Sequence, residues 1–264
     1  MRRPTAVLLG SGAATLAADL LLRHGPAPGG RARWTRSNHA GAEVTLLEGV
    51  ALVAGTTVPL AVVDPASAVV SLGAGLTGAV DDLRPDAVRK GLAGHLGALA
   101  RGEVTVGALK IVGLLATGLA GAAPGARDRP VHDTLVQAAI VAGSANLANL
   151  LDLRPGRALK VGLLSGIPLA LHDTGSPAAA AVGAATVLLR DDLRGRSMLG
   201  DTGANPLGGL VGLAAARRGT AGHRRALLAA LTALTLASER VSFTRVIEST
   251  PGLRELDAWG RPPR

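Results

Sequence analysis

The chain has 264 residues, of which 48% are hydrophobic, and a mean hydropathy of +0.34. This apolar content is high for a soluble domain of its size and favours a membrane protein. One Phe, two Trp and no Tyr argue against a β-sandwich or barrel packed by aromatic side chains. The absence of Cys excludes disulfides and thiolate metal sites.

Nine apolar runs rich in Ala, Leu, Val and Gly follow one another along the chain. Small residues are common where helices pack closely in a bilayer, so the abundance of Gly need not indicate loops. We therefore predict an all-α, polytopic membrane helical bundle of nine transmembrane helices (between eight and ten) within residues 1–238, followed by a cytoplasmic tail at 239–264. The predicted spans are 4–22, 44–63, 66–80, 107–123, 131–151, 158–172, 175–190, 202–217 and 222–238.

The net charge of +9 comes from basic residues that occur in clumps between the apolar runs. This placement argues against a continuous nucleic-acid-binding surface, so no nucleic acid partner is expected. Twenty of the 28 Lys and Arg residues lie in the odd-numbered connections and the tail, which we therefore place on the cytoplasmic side of the cell inner (plasma) membrane. The outward connection from Arg217 to Arg225 departs from this rule.

Acidic residues stand at the ends of three predicted spans, all on the predicted inner side. Asp81 and Asp82 end the third span, Asp152 ends the fifth, and Asp201 opens the eighth. An ionised Asp inside the hydrocarbon costs about 2.5 to 3.5 kcal/mol on insertion scales, so such acids tend to face a wet cavity or a partner. One acid alone fits a solvated helix end, whereas several at one interface suit Mg²⁺, which prefers oxygen ligands.

Three motifs in this order resemble the polyprenyl-phosphate hexosamine-1-phosphate transferases (glycosyltransferase family 4), which include phospho-N-acetylmuramoyl-pentapeptide transferase. An Arg-x-Asn-x-x-Gly string in the first inward loop is similar as well. The resemblance covers roughly residues 30 to 245. The residues that carry it are Asp81 and Asp82; Asn146, Asn149 and Asp152; Gly200, Asp201, Thr202 and Gly203; and Arg36, Asn38 and Gly41.

The resemblance implies a Mg²⁺-dependent transferase of cell-envelope glycan synthesis, such as the synthesis of peptidoglycan. A polyprenyl phosphate would attack the β-phosphorus of a UDP-sugar at the inner leaflet and release UMP. Polyprenyl phosphate, a UDP-sugar and the lipid bilayer are the implied partners, and a second copy of the chain in a homodimer is a further candidate. Because two anionic phosphates must approach each other, a divalent cation and basic side chains are needed.

The same resemblance assigns roles to individual residues. Asp201, with Asp82, is expected to bind Mg²⁺, while Asp81 and Asp82 position the metal or the attacking phosphate. Asp152 is expected to act beside them on the nucleotide side. The expected substrate-binding residues are Asn146, Asn149, Lys90, Lys110, Lys160, Arg36, Asn38 and His95.

One departure from the family's motifs bears on whether the chain is catalytically active. Family members commonly continue the Asn-Leu-x-Asp string with Gly-x-Asp-Gly, whereas Leu153-Arg154-Pro155 follows here. This departure leaves open a catalytically inactive member that acts as a membrane scaffold in envelope assembly.

Asp-Thr-Gly strings at Asp173 and Asp201 match the aspartic-protease signature, which requires two touching carboxylates. The predicted topology places these two acids on opposite sides, so we expect no such pair.

Overall fold

A computed structural model describes residues 3–38, 41–84, 101–102 and 105–262, together with Gly94 and Gly97. Within these residues the chain forms eleven α-helices, two short 3-10 helices and one two-stranded hairpin. The prediction of an all-helical protein is confirmed.

Nine long helices coincide with the nine predicted apolar runs to within three residues at either end. This agreement arises because each run is bounded by charged, Gly or Pro residues. Two shorter helices, α10 (Phe243–Ser249) and α11 (Leu253–Ala258), lie in the tail. The long helices are α1 (Arg3–His24), α2 (Leu47–Val63), α3 (Pro65–Leu83), α4 (Val106–Ala122), α5 (Val131–Leu151), α6 (Arg157–Ala170), α7 (Ser176–Leu193), α8 (Gly200–Arg218) and α9 (Ala221–Ser238).

Two of the described helices, α1 and α5, are long and apolar enough to cross a membrane. The pair α9 and α10 forms a third candidate if it is one span, although the two helices are bent by 95° relative to each other. Helices α2 and α4 are also apolar but have 17 residues each. The chain therefore contains helices suited to a membrane, while the count of nine spans stays a prediction.

Helix α8 lies at the centre of the bundle and packs against α2, α3, α5, α6 and α7. Most of its residues are buried, and its glycines allow neighbouring backbones to approach. A close approach also occurs at Gly78 of α3, where a Cβ atom would lie 2.1 Å from the backbone oxygen of Asp201. The absence of a side chain at Gly78 thus lets the end of α3 lie directly against the start of α8.

A small hairpin between α1 and α2 was not expected from the sequence. Its strands, β1 (Thr35–Ser37) and β2 (Glu43–Thr45), pair antiparallel, and Arg36 lies opposite Val44. Thr45 forms an isolated bridge with Ser197, and Met198 N donates to Thr45 O at 3.1 Å. The hairpin therefore connects the loop between α1 and α2 to the segment that leads into α8.

Candidate functional site

The start of α8 is held by carboxylates from two other parts of the chain. Gly200 N donates to Asp152 Oδ2 at 2.9 Å, Asp201 N to Asp82 Oδ1 at 3.1 Å, and Thr202 N to Asp82 Oδ2 at 2.8 Å. The first N–H groups of a helix have no partner within it and carry partial positive charge, so carboxylates are favourable there. Asp82 and Asp152 thus fix the position of the residues on either side of Asp201.

Gly200 makes this arrangement sterically possible. Its φ is +59°, a left-handed conformation that favours glycine. A Cβ atom at this position would lie 2.9 Å from Asp82 Oδ2. The Gly-Asp-Thr-Gly motif therefore begins with the residue that allows the Asp82 carboxylate to reach the helix start.

Asp82 also accepts a hydrogen bond from a side chain of α8, in addition to the two from its backbone. Thr202 Oγ1 donates to Asp82 Oδ2 at 2.6 Å, so the carboxylate accepts three hydrogen bonds from this helix. These contacts give Asp82 a clear part in holding α8. The neighbouring Asp81 lies on the more accessible side of the same helix end.

Lys110 of α4 lies between two carboxylates of different helices. Its Nζ contacts Asp81 Oδ2 at 3.0 Å and also contacts Asp201 Oδ2. The side chains of Asp81 and Asp201 are 29% and 20% exposed, so a ligand from solvent can reach them. Asp81, Asp201 and Lys110 therefore form the accessible part of the acid cluster.

Arg36 and Asn38, which were expected to bind substrate, both contact protein backbone in this structure. Arg36 Nη2 donates to the backbone oxygen of Asp82, and its Nη1 donates to Thr35 O at 2.7 Å. Asn38 Oδ1 accepts from Ala42 N at 3.0 Å, next to the turn of the hairpin. Arg36 thus binds the backbone at the end of α3, next to the acids. Asn38 stabilises the hairpin in which Arg36 lies.

The other predicted substrate-binding residues have different locations. Asn146 Nδ2 donates to Thr235 Oγ1 of α9 at 3.4 Å, and Asn149 is partly buried in the last turn of α5. Lys160 donates to backbone oxygens of the tail. Lys90 and His95 lie outside the described residues. The structure therefore brings together Asp81, Asp82, Asp152, Asp201, Lys110 and Arg36.

Asp152 is buried behind the start of α8, next to a second group of acids. Burial raises the pKa of Asp152 well above its usual value, and the nearby carboxylate of Asp192 raises it further, against the opposing hydrogen bond from Gly200 N. Asp192 was not among the predicted site residues; its Oδ1 accepts from Gly156 N at 2.7 Å. A signal was present, because the pair Asp191-Asp192 ends α7 as Asp81-Asp82 ends α3.

Mg²⁺ was the expected cofactor. Among the residues that the structure describes, no three His, Asp or Glu side chains are arranged to hold a metal ion by themselves. Mg²⁺ in phosphoryl-transfer sites is commonly held by one or two carboxylates, with substrate phosphates and waters as the other ligands. The expected pair was Asp201 with Asp82, but the Asp82 carboxylate accepts three hydrogen bonds from α8. Asp81 and Asp201, which share the ammonium of Lys110, are the accessible pair that suits this donor set.

The aspartic-protease interpretation is excluded by position. Asp173 lies with Asp64 and Arg217 around a cavity of about 540 Å³. Arg217 is near the end of α8, whereas Asp201 is at its start. Since α8 has 19 residues, its two ends are about 27 Å apart.

No family model matches the chain, and no significant match to it appears among the curated proteins or the solved structures. A functional assignment therefore rests on the motifs of the chain and on the geometry of the acid cluster at the start of α8.

Proposed function

We propose that the chain is a multi-pass inner-membrane enzyme that transfers a sugar 1-phosphate from a UDP-sugar to a polyprenyl phosphate. The observation that carries this proposal is the meeting of four aspartates from three separate motifs at the start of α8. The same motifs, in the same order, resemble those of the polyprenyl-phosphate hexosamine-1-phosphate transferases.

The outer surface of the bundle supports the proposed nine spans. Large apolar side chains are exposed on most of the long helices, where water would be a poor solvent and lipid tails would cover them. In the proposed topology, the ends of α3 and α5 and the start of α8 face the cytoplasm, where UDP-sugars are available. Examples of the exposed side chains are Leu9 and Leu21 on α1, Val62 on α2, Leu76 on α3, Val112 on α4 and Leu164 on α6.

The acid cluster has the charge that the proposed reaction requires. An oxygen of the polyprenyl phosphate would bond to the β-phosphorus while the bond from that phosphorus to the bridging oxygen breaks, so that UMP leaves with this oxygen. A Mg²⁺ ion held by Asp81 and Asp201 would supply positive charge for the diphosphate oxygens. The Lys110 ammonium, 3.0 Å from Asp81, lies where it can also contact a phosphate oxygen.

Asp82 and Asp152 would serve this chemistry by orienting the chain around Asp201. Their hydrogen bonds hold the backbone of Gly200, Asp201 and Thr202. A carboxylate that must meet a metal and a phosphate gains from a backbone that is already fixed before substrate binds.

Release of UMP tests the proposal. Purified protein should release UMP when supplied with Mg²⁺, undecaprenyl phosphate and the correct member of a panel of UDP-sugars. Asp201→Asn should lower the rate by about 100-fold or more, because a group that stabilises transition-state charge is lost. Asp173→Asn is the matched control, since Asp173 has the same Asp-Thr-Gly context but lies at the other end of the bundle.

Two outcomes would count against the proposal in different ways. Unchanged release by Asp201→Asn would reject the site. No release with any UDP-sugar would favour the alternative of a membrane scaffold.

A further inference from the structure

The tail is joined to α6 by a buried ion pair. Arg157 Nε donates to Asp257 Oδ1 at 2.8 Å, and Arg157 Nη2 donates to Asp257 Oδ2 at 3.0 Å. The two side chains are 3% and 7% exposed. Two-point pairing of this kind fixes both distance and orientation, and removing one partner leaves a buried charge without compensation.

Lys160, one turn further along α6, binds the same part of the tail. Its Nζ donates to Leu256 O at 3.0 Å and to Trp259 O at 3.1 Å, and it also contacts Asp257 O. Carbonyl groups at the end of a short helix lack partners within it, and a cationic side chain satisfies them. The start of α6 therefore holds the tail through both the Asp257 side chain and the backbone around it.

The tail also holds the loop between α5 and α6. Arg261 Nη2 donates to Asp257 Oδ1 at 2.9 Å, while Arg261 Nε donates to Pro155 O at 2.8 Å. The other side of this short loop begins with Asp152, which accepts from Gly200 N. The loop from Asp152 to Arg157 thus lies between the tail on one side and the start of α8 on the other.

We infer that Asp257 is a positioning residue for the acid cluster. By binding Arg157 and Arg261, it fixes the 152–157 loop, and the loop holds the Asp152 carboxylate against Gly200, the residue before Asp201. The structural part of this inference stands by itself, while its consequence for catalysis rests on the proposed transferase function.

The order of the loop can be measured without an activity assay. The chain has no Cys, so a spin label at Leu153→Cys, an exposed position in the loop, reports its mobility without background labelling. In this labelled protein, Asp257→Ala should increase the mobility of the label, and Asp257→Glu should restore part of the order. Arg254→Gln is the matched control, because Arg254 is exposed on the same short helix and pairs with Glu255.

The effect on catalysis separates positioning from simple folding. In folded Asp257→Ala protein, kcat for UMP release should fall about tenfold or more while KM for the UDP-sugar changes less than about twofold. A purely structural role would instead lower the yield or thermal stability and leave kcat of the folded fraction unchanged.

Arg261→Gln provides a second variant if Asp257→Ala does not fold. It removes the contact with Pro155 O and should also increase the mobility of the label. Unchanged label mobility in the folded variants would overturn the inference, as would unchanged kcat in an active protein. If the unsubstituted protein releases no UMP, the proposed function fails, and the spin label alone decides whether the tail orders the loop.

Discussion

The acidic residues at the two ends of α8 have different kinds of partner. Near the end of α8, two acids are each paired with an arginine: Asp64 with Arg217, and Asp133 with Arg224 at 3.1 Å. At the start, the Lys110 ammonium is shared by two carboxylates, and two further carboxylates lie on the helix backbone. The first arrangement pairs each of these carboxylates with a guanidinium, whereas the second gathers four carboxyl groups around one ammonium, a set that a divalent cation would complement.

The pKa values of one aspartate from each end show the same contrast. Burial alone would raise the pKa of Asp64, but the hydrogen bond and charge of Arg217 hold it below its usual value. Burial raises the pKa of Asp152, and the neighbouring carboxylates of Asp192 and Asp201 add to this effect. The pairing with Arg217 therefore decides the pKa of Asp64, whereas burial, reinforced by neighbouring carboxylates, decides the pKa of Asp152.

The pairing at the far end also bears on topology. Arg217 and Arg224 belong to the proposed outward connection, where an excess of positive charge is unusual. Both are held by acids from other parts of the chain, Asp64 and Asp133. Their presence on this side is therefore compatible with the proposed orientation.

The largest expected difference between the two ends of the bundle is in their labelling by a reagent from outside the cell. Arg127→Cys lies at the far end and Leu153→Cys at the site end, and both positions are exposed. A membrane-impermeant maleimide should label Arg127→Cys in intact cells and Leu153→Cys only after permeabilisation. The unsubstituted chain has no Cys and is the blank. Labelling of Leu153→Cys in intact cells would contradict the topology and the site together.

A smaller contrast is expected between two neighbouring acids at the candidate site. Asp82→Asn should lower the free energy of unfolding by about 1–2 kcal/mol, because it disrupts the capping of α8. Asp81→Asn, the adjacent control, should lower it by less, because the amide oxygen can still accept from Lys110 Nζ. Denaturant unfolding in detergent provides the measurement. Equal losses in the two variants would show that Asp82 has no special part in holding α8.

The smallest expected effect is the pH dependence of tail docking through Asp257. Burial would raise the pKa of Asp257, but the hydrogen bond from Arg157 and the charges of Arg157 and Arg261 hold it below its usual value. The lowered pKa stabilises docking fully above the ordinary Asp pKa of about 3.9, and this stabilisation is lost as pH falls through the folded-state value. A spin label at Val246→Cys should therefore become more mobile as the pH falls below about 4. Unchanged mobility between about pH 5 and pH 3 would contradict the contribution of this ion pair.

Much of the fold could be predicted because it depends on properties of whole segments. Long apolar runs bounded by charge, Gly or Pro specify helices regardless of their partners, which is why all nine were located. The hairpin was missed because each of its strands has three residues, and its place depends on the bridge between Thr45 and Ser197. Short strands of this kind carry little periodic signal.

The candidate site was predictable in part for a related reason. Motif order indicated that Asp81, Asp82, Asp152 and Asp201 belong to one site. Side-chain partners could not be predicted, because they are set by packing between distant segments. Lys160, 97 positions from Asp257, binds the tail, and Arg36 braces the backbone of Asp82.

Metal binding tests the central claim most directly, because the excess of carboxylates at the start of α8 is proposed to hold a divalent cation. Mn²⁺ can replace Mg²⁺, and its binding in the presence of a UDP-sugar can be followed by electron paramagnetic resonance. The account predicts that Asp201→Asn weakens Mn²⁺ binding by about tenfold or more, equivalent to about 1.4 kcal/mol, while Asp64→Asn at the far end leaves it unchanged. Equal Mn²⁺ affinity in the Asp201→Asn variant and the unsubstituted protein would contradict the account.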